Sequence, residues 1–434
     1  MKNKLKSFSL FISAIIKWLI IAGGTGGAVG AVSAGFMWLL EKATEFTGGI
    51  DRYFLMLPAA MFLSAFLVKY LAPSAEGHGT EKAIEAIHNN GGRIKIGVIP
   101  VKIAATVITI AGGGSAGKEG PTTQIGAGAA SFIARVLRLD VRDTKALVVC
   151  GMSAAFAAIF ATPIAAAVFT VEVLVVGRLN LRNIFPVMTA AIAGYFVSNA
   201  LGVTPDAMPN LSSFAFTPSN ALFNIGIALL AGLFFGIVSL ITVSVINGTH
   251  KLSSGLRIYK PLKGLIGGGV IVVLALIFGT DYLGMGINYF TKIAEGQEAR
   301  LYDFLLKIIF TAITLSFGGS GGVLTPLMFI GITSGSAFAS VFNLDPSVFA
   351  CLGMLAVLAS STNTPLACII MAFEMFFSPS FAVIAAVACP VAYLVTGHRS
   401  VYPTQLMRES KIESIRLESI TAEQPKEVFF KRKR

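Results

Sequence analysis

Two related strings mark the middle of each half of the chain. Residues 113–121 read GGSAGKEGP, and residues 318–326 read GGSGGVLTP. They align without a gap at an offset of 205, and residues 125–126 and 330–331 read IG after both. Each string holds a glycine-rich break and then a proline, which is favoured in the first turn of a helix. The repetition indicates a chain of two related halves.

Two further matches flank these strings in the same order. Residues 77–79 (GHG) recur as residues 284–286 (GMG) at an offset of 207. Residues 151–172 match residues 353–374 at an offset of 202, sharing a Gly-Met pair, a Thr-Pro pair and a final glutamate. Three collinear matches are hard to obtain by chance, so the repeat predicts one duplicated architecture.

The composition is that of a membrane protein. Apolar residues make up 55% of the 434 and charged residues 13%, against about 45 to 50% and about 25% in soluble domains. At about 20 residues per crossing, this is enough apolar material for about ten to twelve spans. The long apolar runs do not alternate as the strands of a membrane β-barrel would, so we expect helices.

The repeat and the charges together predict the domain organisation. We expect one membrane domain over residues 1–402, with halves at about 15–201 and 220–402, and a short charged cytoplasmic tail over residues 403–434. The net charge of +12 is concentrated near both termini, which the positive-inside rule places in the cytoplasm of a multi-pass protein of the cell membrane. We expect no nucleic-acid partner, because no binding module accompanies the charge. The four cysteines form no CxxC pair, so no metal site is expected.

The segments before the glycine-rich strings are too short to cross a bilayer. Residues 103–117 are fifteen uncharged residues that end in glycines, whereas a span needs about 20. Interrupted helices at matching positions of two halves indicate a transport site. Helix N-termini at such breaks could hold an anion, because glycine lets it approach unpaired amides. Alternatively, the glycines serve close helix packing.

Glu119 is the candidate gating residue. An ionisable side chain at membrane depth is costly and indicates function, and the repeat partner of Glu119 is the apolar Leu324. Its carboxylate would compete with a bound anion, and protonation would release it. The alternatives are a structural pair with Lys118 or an interfacial position. For Glu172 and Glu374, which occupy equivalent positions, we expect capping or packing.

Residues 112–118 also fit the G-x-x-x-x-G-K core of a phosphate loop. The match fails at Glu119, where the motif needs a serine or threonine for Mg²⁺. A nucleotide-hydrolysing membrane enzyme is therefore only a remote alternative, and the chain is predicted not to be an enzyme.

These residues resemble a known family. Residues 117–121 (GKEGP) are similar to the G-[KR]-E-G-P signature of CLC chloride channels and proton/chloride exchangers, and residues 322–326 (GVLTP) to its G-x-F-x-P. Residues 77–80 (GHGT) stand where the family has G-S-G-I-P, and Tyr402 resembles its late pore tyrosine. The resemblance covers nearly the whole chain.

The resemblance implies an all-α polytopic membrane fold of about eighteen partly broken helices in two halves of inverted topology, with re-entrant segments. It implies a homodimer in the lipid bilayer with one anion pathway per subunit, bound chloride ions and no other cofactor. Glu119 would be the gate. The implied anion-binding residues are His78, Gly79, Lys118, Glu119, Gly120, Leu324, Thr325 and Tyr402.

Three departures from the family bear on function. His78 replaces a serine and Leu324 a phenylalanine, and residues 183–205, where the resemblance places a second acid for proton relay, hold none, although Asp206 follows. We therefore predict chloride-selective transport gated by protonation of Glu119, as a channel or weakly coupled pathway, with chloride favoured over fluoride. The alternative is a tightly coupled proton/chloride antiporter.

Overall fold

The computed structural model describes residues 2–205 and 208–411, together with short strands at 415–417 and 427–429. Asp206, which the sequence offers as a relay, and the basic end at residues 431–434 lie outside the described residues. Within them, the chain is almost entirely helical, as predicted.

Sixteen α-helices in the described part of the chain form two sets of eight, and each helix of the first set has a counterpart eight helices later. The first set is α1 (Lys2–Gly48), α2 (Leu57–Leu71), α3 (Thr80–Asn89), α4 (Val98–Ala111), α5 (Glu119–Val136), α6 (Val141–Phe160), α7 (Pro163–Glu172) and α8 (Ile184–Ala200). The second set is α9 (Ala221–Gly255), α10 (Lys260–Phe278), α11 (Ile287–Ala294), α12 (Asp303–Ser316), α13 (Leu324–Phe342), α14 (Pro346–Thr362), α15 (Pro365–Phe376) and α16 (Pro379–Val395).

The number of α-helices is smaller than the roughly eighteen that the resemblance implied. Helices α1 and α9 are 47 and 35 residues long. Neither contains a proline to interrupt it. Three short 3-10 helices (Tyr53–Met56, Pro73–Ala75 and Leu181–Asn183) complete the helical structure of the described residues.

Six described helices are at least 18 residues long and apolar enough to cross a membrane: the Phe8–Gly48 part of α1, the Tyr53–Leu71 segment containing α2, and α6, α9, α10 and α13. Five more apolar helices, α4, α7, α14, α15 and α16, have 10 to 17 residues. Such short elements are tolerated at membrane depth because the protein itself surrounds them. The estimate of about ten to twelve spans stays a prediction.

The first part of the predicted tail packs back onto the membrane domain. Strand β1 (Val175–Val176), after α7, pairs in parallel with β2 (Leu406–Met407). The side-chain amide of Gln405 donates to the backbone carbonyl of Val173 at 2.8 Å. Strands β3 (Ile415–Leu417) and β4 (Glu427–Phe429) pair antiparallel. The segment that follows α16 is therefore held against the end of α7.

The two glycine-rich breaks meet each other at the centre of the protein. Gly117 and Gly322 form an antiparallel bridge, in which the two amides donate to the opposite carbonyls at 2.8 and 2.7 Å. The two glycines are repeat equivalents, at the offset of 205. The halves therefore run in opposite directions where they meet, which confirms the inverted topology.

Side chains around this bridge repeat the same symmetry. The Ser115 amide donates to the Thr314 hydroxyl at 3.0 Å, and the equivalent Ser320 amide donates to the equivalent Thr109 hydroxyl at 3.0 Å. Reciprocal contacts of this kind define a two-fold relation. Each half thus supplies hydrogen-bond partners for backbone groups that the break in the other half leaves free.

Glu172 and Glu374 are caps that the halves exchange. The Glu172 carboxylate accepts from the amides of the second and third residues of α15, at 3.0 and 2.8 Å. The Glu374 carboxylate accepts from the amides of the second and third residues of α7, at 2.9 and 2.7 Å. The predicted capping role is confirmed, and negative charge at a helix N-terminus is favourable.

Replacing Glu374 by alanine should destabilise the fold by about 1 to 3 kcal/mol, because two helix-terminal amides lose a charged acceptor. The measurement is the thermal midpoint of purified protein in detergent. The control is Glu45→Ala, which removes an exposed carboxylate paired with Lys42 and should change the midpoint little. Equal midpoints for the two variants would refute the cap.

Candidate functional site

Three loops meet at backbone contact near the centre of the two-fold relation. A Cβ atom on Gly79, where φ is +87°, would lie 2.2 Å from the Gly120 carbonyl oxygen. One on Gly120 would lie 2.0 Å from the His78 carbonyl oxygen, and one on Gly322 would lie 2.7 Å from the Gly120 amide nitrogen. Only glycine permits this approach. The structure thus brings together the GHG segment of the first half and the glycine-rich strings of both halves.

Glu119 reaches from the first residue of α5 to the first turn of α13. Its side chain is buried, and the Thr325 hydroxyl lies 2.6 Å from both carboxylate oxygens. The Thr325 amide donates to the same carboxylate at 3.2 Å. Unpaired amides and the helix dipole make a helix N-terminus a place where negative charge is stable. A carboxylate therefore holds a position suited to a small anion.

Gly117 leaves the room that this arrangement needs. A Cβ atom there would lie 2.6 Å from a carboxylate oxygen of Glu119 and 2.6 Å from the Thr325 hydroxyl oxygen. Leu324 precedes Thr325 and is fully buried, so its side chain contributes an apolar wall. The polar groups at the start of α13 are the amide and hydroxyl of Thr325.

Enclosed polar atoms cluster near the start of α3. His78 Nδ1 has no hydrogen-bond partner among the described residues, whereas the enclosed hydroxyls of Thr80 and Tyr402 interact with each other. Tyr402 lies beside α3, because the Thr404 hydroxyl donates to the Glu81 carbonyl at 3.2 Å. Tyr402 also interacts electrostatically with Glu119. Enclosed polar groups are normally bonded, so this cluster is suited to a polar guest.

Lys118 differs from the other predicted site residues in where its side chain lies. It is buried and lines a cavity of about 710 Å³ together with Trp38 and Tyr289. Gly284 and Gly286, from the GMG segment of the second half, also line that cavity. Seven of the eight predicted anion-binding residues therefore lie around the meeting loops or the α3 cluster, whereas Lys118 lines a neighbouring cavity.

The comparison with known proteins agrees with this architecture. The family described as "Voltage gated chloride channel" matches residues 60–397. The chain belongs to the CLC family of chloride channels and exchangers. It is accordingly a multi-pass membrane protein of a family whose members transport anions.

Individual CLC relatives cover nearly the whole chain. A "Chloride/fluoride channel protein" of Pseudomonas syringae pv. tomato is 34% identical, over 94% of this chain and 91% of its own length. An "H(+)/Cl(-) exchange transporter ClcA" of Salmonella paratyphi B is 27% identical, over 90% of this chain and 88% of its own. The crystal structure of a CLC-type fluoride/proton antiporter superposes with a TM-score of 0.83 at 28% identity, covering 91% of this chain and 98% of the other.

The CLC assignment removes the phosphate-loop alternative. Family members are channels and transporters rather than enzymes. In addition, the G-x-x-x-x-G-K string joins helix α4 to helix α5, whereas a phosphate loop follows a β-strand. In this protein the string instead forms part of the contact between the two halves.

Two buried lysines escaped the sequence analysis. Lys102 donates to the carbonyls of Ala75 and Gly77, at 3.1 and 2.8 Å, and so anchors the loop before α3. Its repeat equivalent, Lys307, donates to two carbonyls of the matching loop before α11, at 3.0 and 3.1 Å. Both ammonium groups pair with backbone, as charges in a membrane interior often do. The offset of 205 between them was a usable signal in the sequence.

Replacing Gly120 by alanine should separate the meeting loops, because the new methyl group would lie 2.0 Å from the His78 carbonyl oxygen. We expect a loss of about 3 kcal/mol or more, measured as a lower thermal midpoint and a smaller monodisperse fraction. Gly35→Ala is the control, since a Cβ atom in that helix meets no atom within 4 Å. If the two alanine variants behave alike, the close approach is wrong.

Proposed function

We propose that this CLC protein exchanges a halide ion for protons, with Glu119 carrying the proton. The supporting observation is the position of the Glu119 carboxylate, which accepts from the hydroxyl and amide of Thr325 at the N-terminus of α13. A halide that binds these donors must displace the carboxylate. A displaced carboxylate becomes protonated more readily once it has lost those donors.

The cycle follows from this competition. The ionised carboxylate occupies the donors of Thr325 and keeps the halide out. Protonation removes its negative charge, weakens its attraction to the helix terminus and lets the halide bind. Release of the proton on the other side returns the carboxylate and expels the ion. The proton and the halide thus cross the membrane in opposite directions, and both use the site formed by Glu119 and Thr325.

Exchange replaces the channel that the sequence analysis favoured. That preference rested on the absence of an acid from residues 183–205. Residues 184–200 form α8, which packs against α1, α6 and α7. Among the relatives, the Salmonella protein and the superposed crystal structure are both named as proton-coupled exchangers.

We propose fluoride as the transported ion, in place of the chloride that the sequence analysis favoured, and chloride is the alternative. The donors near Glu119 and α3 are hydroxyls and an imidazole, and the Thr325 hydroxyl comes within 2.6 Å of a carboxylate oxygen. Fluoride is close to oxygen in size and accepts short hydrogen bonds from such donors. Chloride is larger and would hold the hydroxyl farther away. Two relatives carry fluoride in their names.

For the assembly, we propose a homodimer in the lipid bilayer with one pathway per subunit and both termini in the cytoplasm. The basic residues near the first helix and after α16 support this orientation. Large apolar side chains are exposed along α1, α9 and α10, as surfaces that face lipid or a second subunit require. The proposed site residues are those named from the sequence except Lys118, which lines a neighbouring cavity, and Thr325 is the principal donor.

Replacing Glu119 by glutamine mimics the protonated side chain. We expect halide flux to continue, at a rate equal to or above that of the wild type, because no charge competes for Thr325. Proton coupling should be lost, so a pH gradient should no longer shift the reversal potential of reconstituted protein. Glu45→Gln, at an exposed position, should retain the shift. A Glu119→Gln variant that still couples protons would contradict the carrier role.

The choice of halide can be tested with liposomes and ion-selective electrodes. We expect fluoride efflux to exceed chloride efflux by about tenfold, equivalent to about 1.4 kcal/mol. Thr325→Val should reduce this preference, because it removes the hydroxyl donor. Thr333→Val is the matched control on the same helix, since that hydroxyl bonds the Phe329 carbonyl at 2.8 Å. A preference for chloride in the wild type would assign the exchange to chloride instead.

A further inference from the structure

His78 lies between the proposed site and the surface of the protein. It directly precedes the Gly79 that contacts Gly120, and its own carbonyl oxygen lies against Gly120, next to Glu119. Its Nδ1 is enclosed and has no hydrogen-bond partner among the described residues, whereas the residue as a whole is partly exposed. The ring therefore has an inward edge and access to water.

A second histidine lies beyond it. His250 is exposed near the end of α9 and interacts electrostatically with His78. Two hydrogen bonds fix the position of α9 relative to Tyr402. The side-chain amide of Asn247 donates to the backbone carbonyl of Ser400 at 3.3 Å, and the backbone amide of Tyr402 donates to the Ser400 hydroxyl at 3.0 Å. His250 stands three residues after Asn247 and so shares its helix face. The end of α9 therefore lies beside the polar cluster that contains Tyr402.

The charged and titratable groups near this route come from several elements. They are Glu76, before α3; Glu81 and Lys82, on α3; Lys102, on α4; Glu119, on α5; Tyr402, after α16; and His250, on α9. Among them, the imidazoles are the side chains that can both accept and donate a proton in their neutral form. The positive charge of Lys102 repels a proton held on His78, which suits a group that passes protons on.

We propose that His250 and His78 form a two-step proton relay from the inner face to Glu119. The inference rests on the proposed proton-coupled exchange. Neutral His250 takes a proton from cytoplasmic water and passes it to one ring nitrogen of neutral His78. The N–H proton on the other ring nitrogen of His78 then passes to the Glu119 carboxylate, directly or through the Tyr402 hydroxyl. His78 is left neutral as the other tautomer, and rotation of the ring restores the starting state. No other bond is made or broken.

An imidazole suits this role better than the neighbouring hydroxyls. Neutral imidazole accepts a proton at one nitrogen and donates from the other, so it can relay at neutral pH. The Tyr402 phenol has an ordinary pKa near 10 and can only bridge. No counterpart exists in the second half, where Met285 is the repeat equivalent of His78.

The test measures the ratio of proton flux to halide flux in proteoliposomes for His78→Gln and His250→Gln. We expect this ratio to fall about tenfold or more in each variant, because glutamine does not titrate. The pH dependence of proton flux near neutrality should flatten as well. His88→Gln is the matched control, since the ring of His88 bonds the Leu174 carbonyl at 3.0 Å away from this route; its ratio should equal that of the wild type.

The outcomes separate the two proposals. A wild type that moves no protons against halide overturns the proposed exchange, and the relay with it. A coupled wild type whose ratio persists in both variants overturns only the relay. If His78→Gln fails to give monodisperse protein, the test rests on the His250→Gln variant, whose substitution is at an exposed position. An unchanged ratio of proton flux to halide flux in that variant overturns the two-step path, and a reduced ratio supports it.

Discussion

An interrupted helix inside a bilayer leaves amides and carbonyls without partners, and lipid cannot supply any. In this CLC protein each half satisfies the other. Gly117 and Gly322 exchange hydrogen bonds, and the serine amides of each break donate to threonine hydroxyls of the opposite half. The exchanged caps of Glu172 and Glu374 extend the same arrangement outward. The breaks are therefore stable only where the halves meet, which is also where the proposed site lies.

The same constraint produces the chemistry. Breaking a helix frees a positively polarised terminus, and glycine lets other segments reach it. At the start of α13 the group that arrives is the Glu119 carboxylate, held by Thr325. A feature needed to build the fold thus becomes a place where a carboxylate and an anion can compete. Neither charge requires a fully buried positive partner for this.

The sequence predicted the features that are written in local spacing. The repeat and the broken helices follow from the glycine strings and their offsets, whereas the inverted CLC architecture came from the family resemblance, because aligned sequence shows relatedness but not orientation. The number of spans is harder to predict from composition, because apolar residues also fill helices of 10 to 17 residues.

The pairing of Glu119 with Thr325 was also beyond the sequence, because the two residues are 206 positions apart and meet only through the two-fold relation. Lys102 and Lys307 were overlooked although they obey the repeat offset, since a lone lysine in an apolar run has no motif. The choice between channel and exchanger depends on how strongly protonation and ion binding oppose each other, and no residue pattern encodes that balance.

The near-perfect two-fold scaffold has a consequence for vectorial transport. A pore whose halves were identical and inverted would present the same surface to both sides of the membrane and could not distinguish inward from outward. Sidedness must therefore reside in the few positions where equivalents differ. Around the breaks these include Lys118 against Val323, Glu119 against Leu324, Gly120 against Thr325 and His78 against Met285. The direction of the transport cycle therefore depends on the positions at which equivalent residues of the two halves differ.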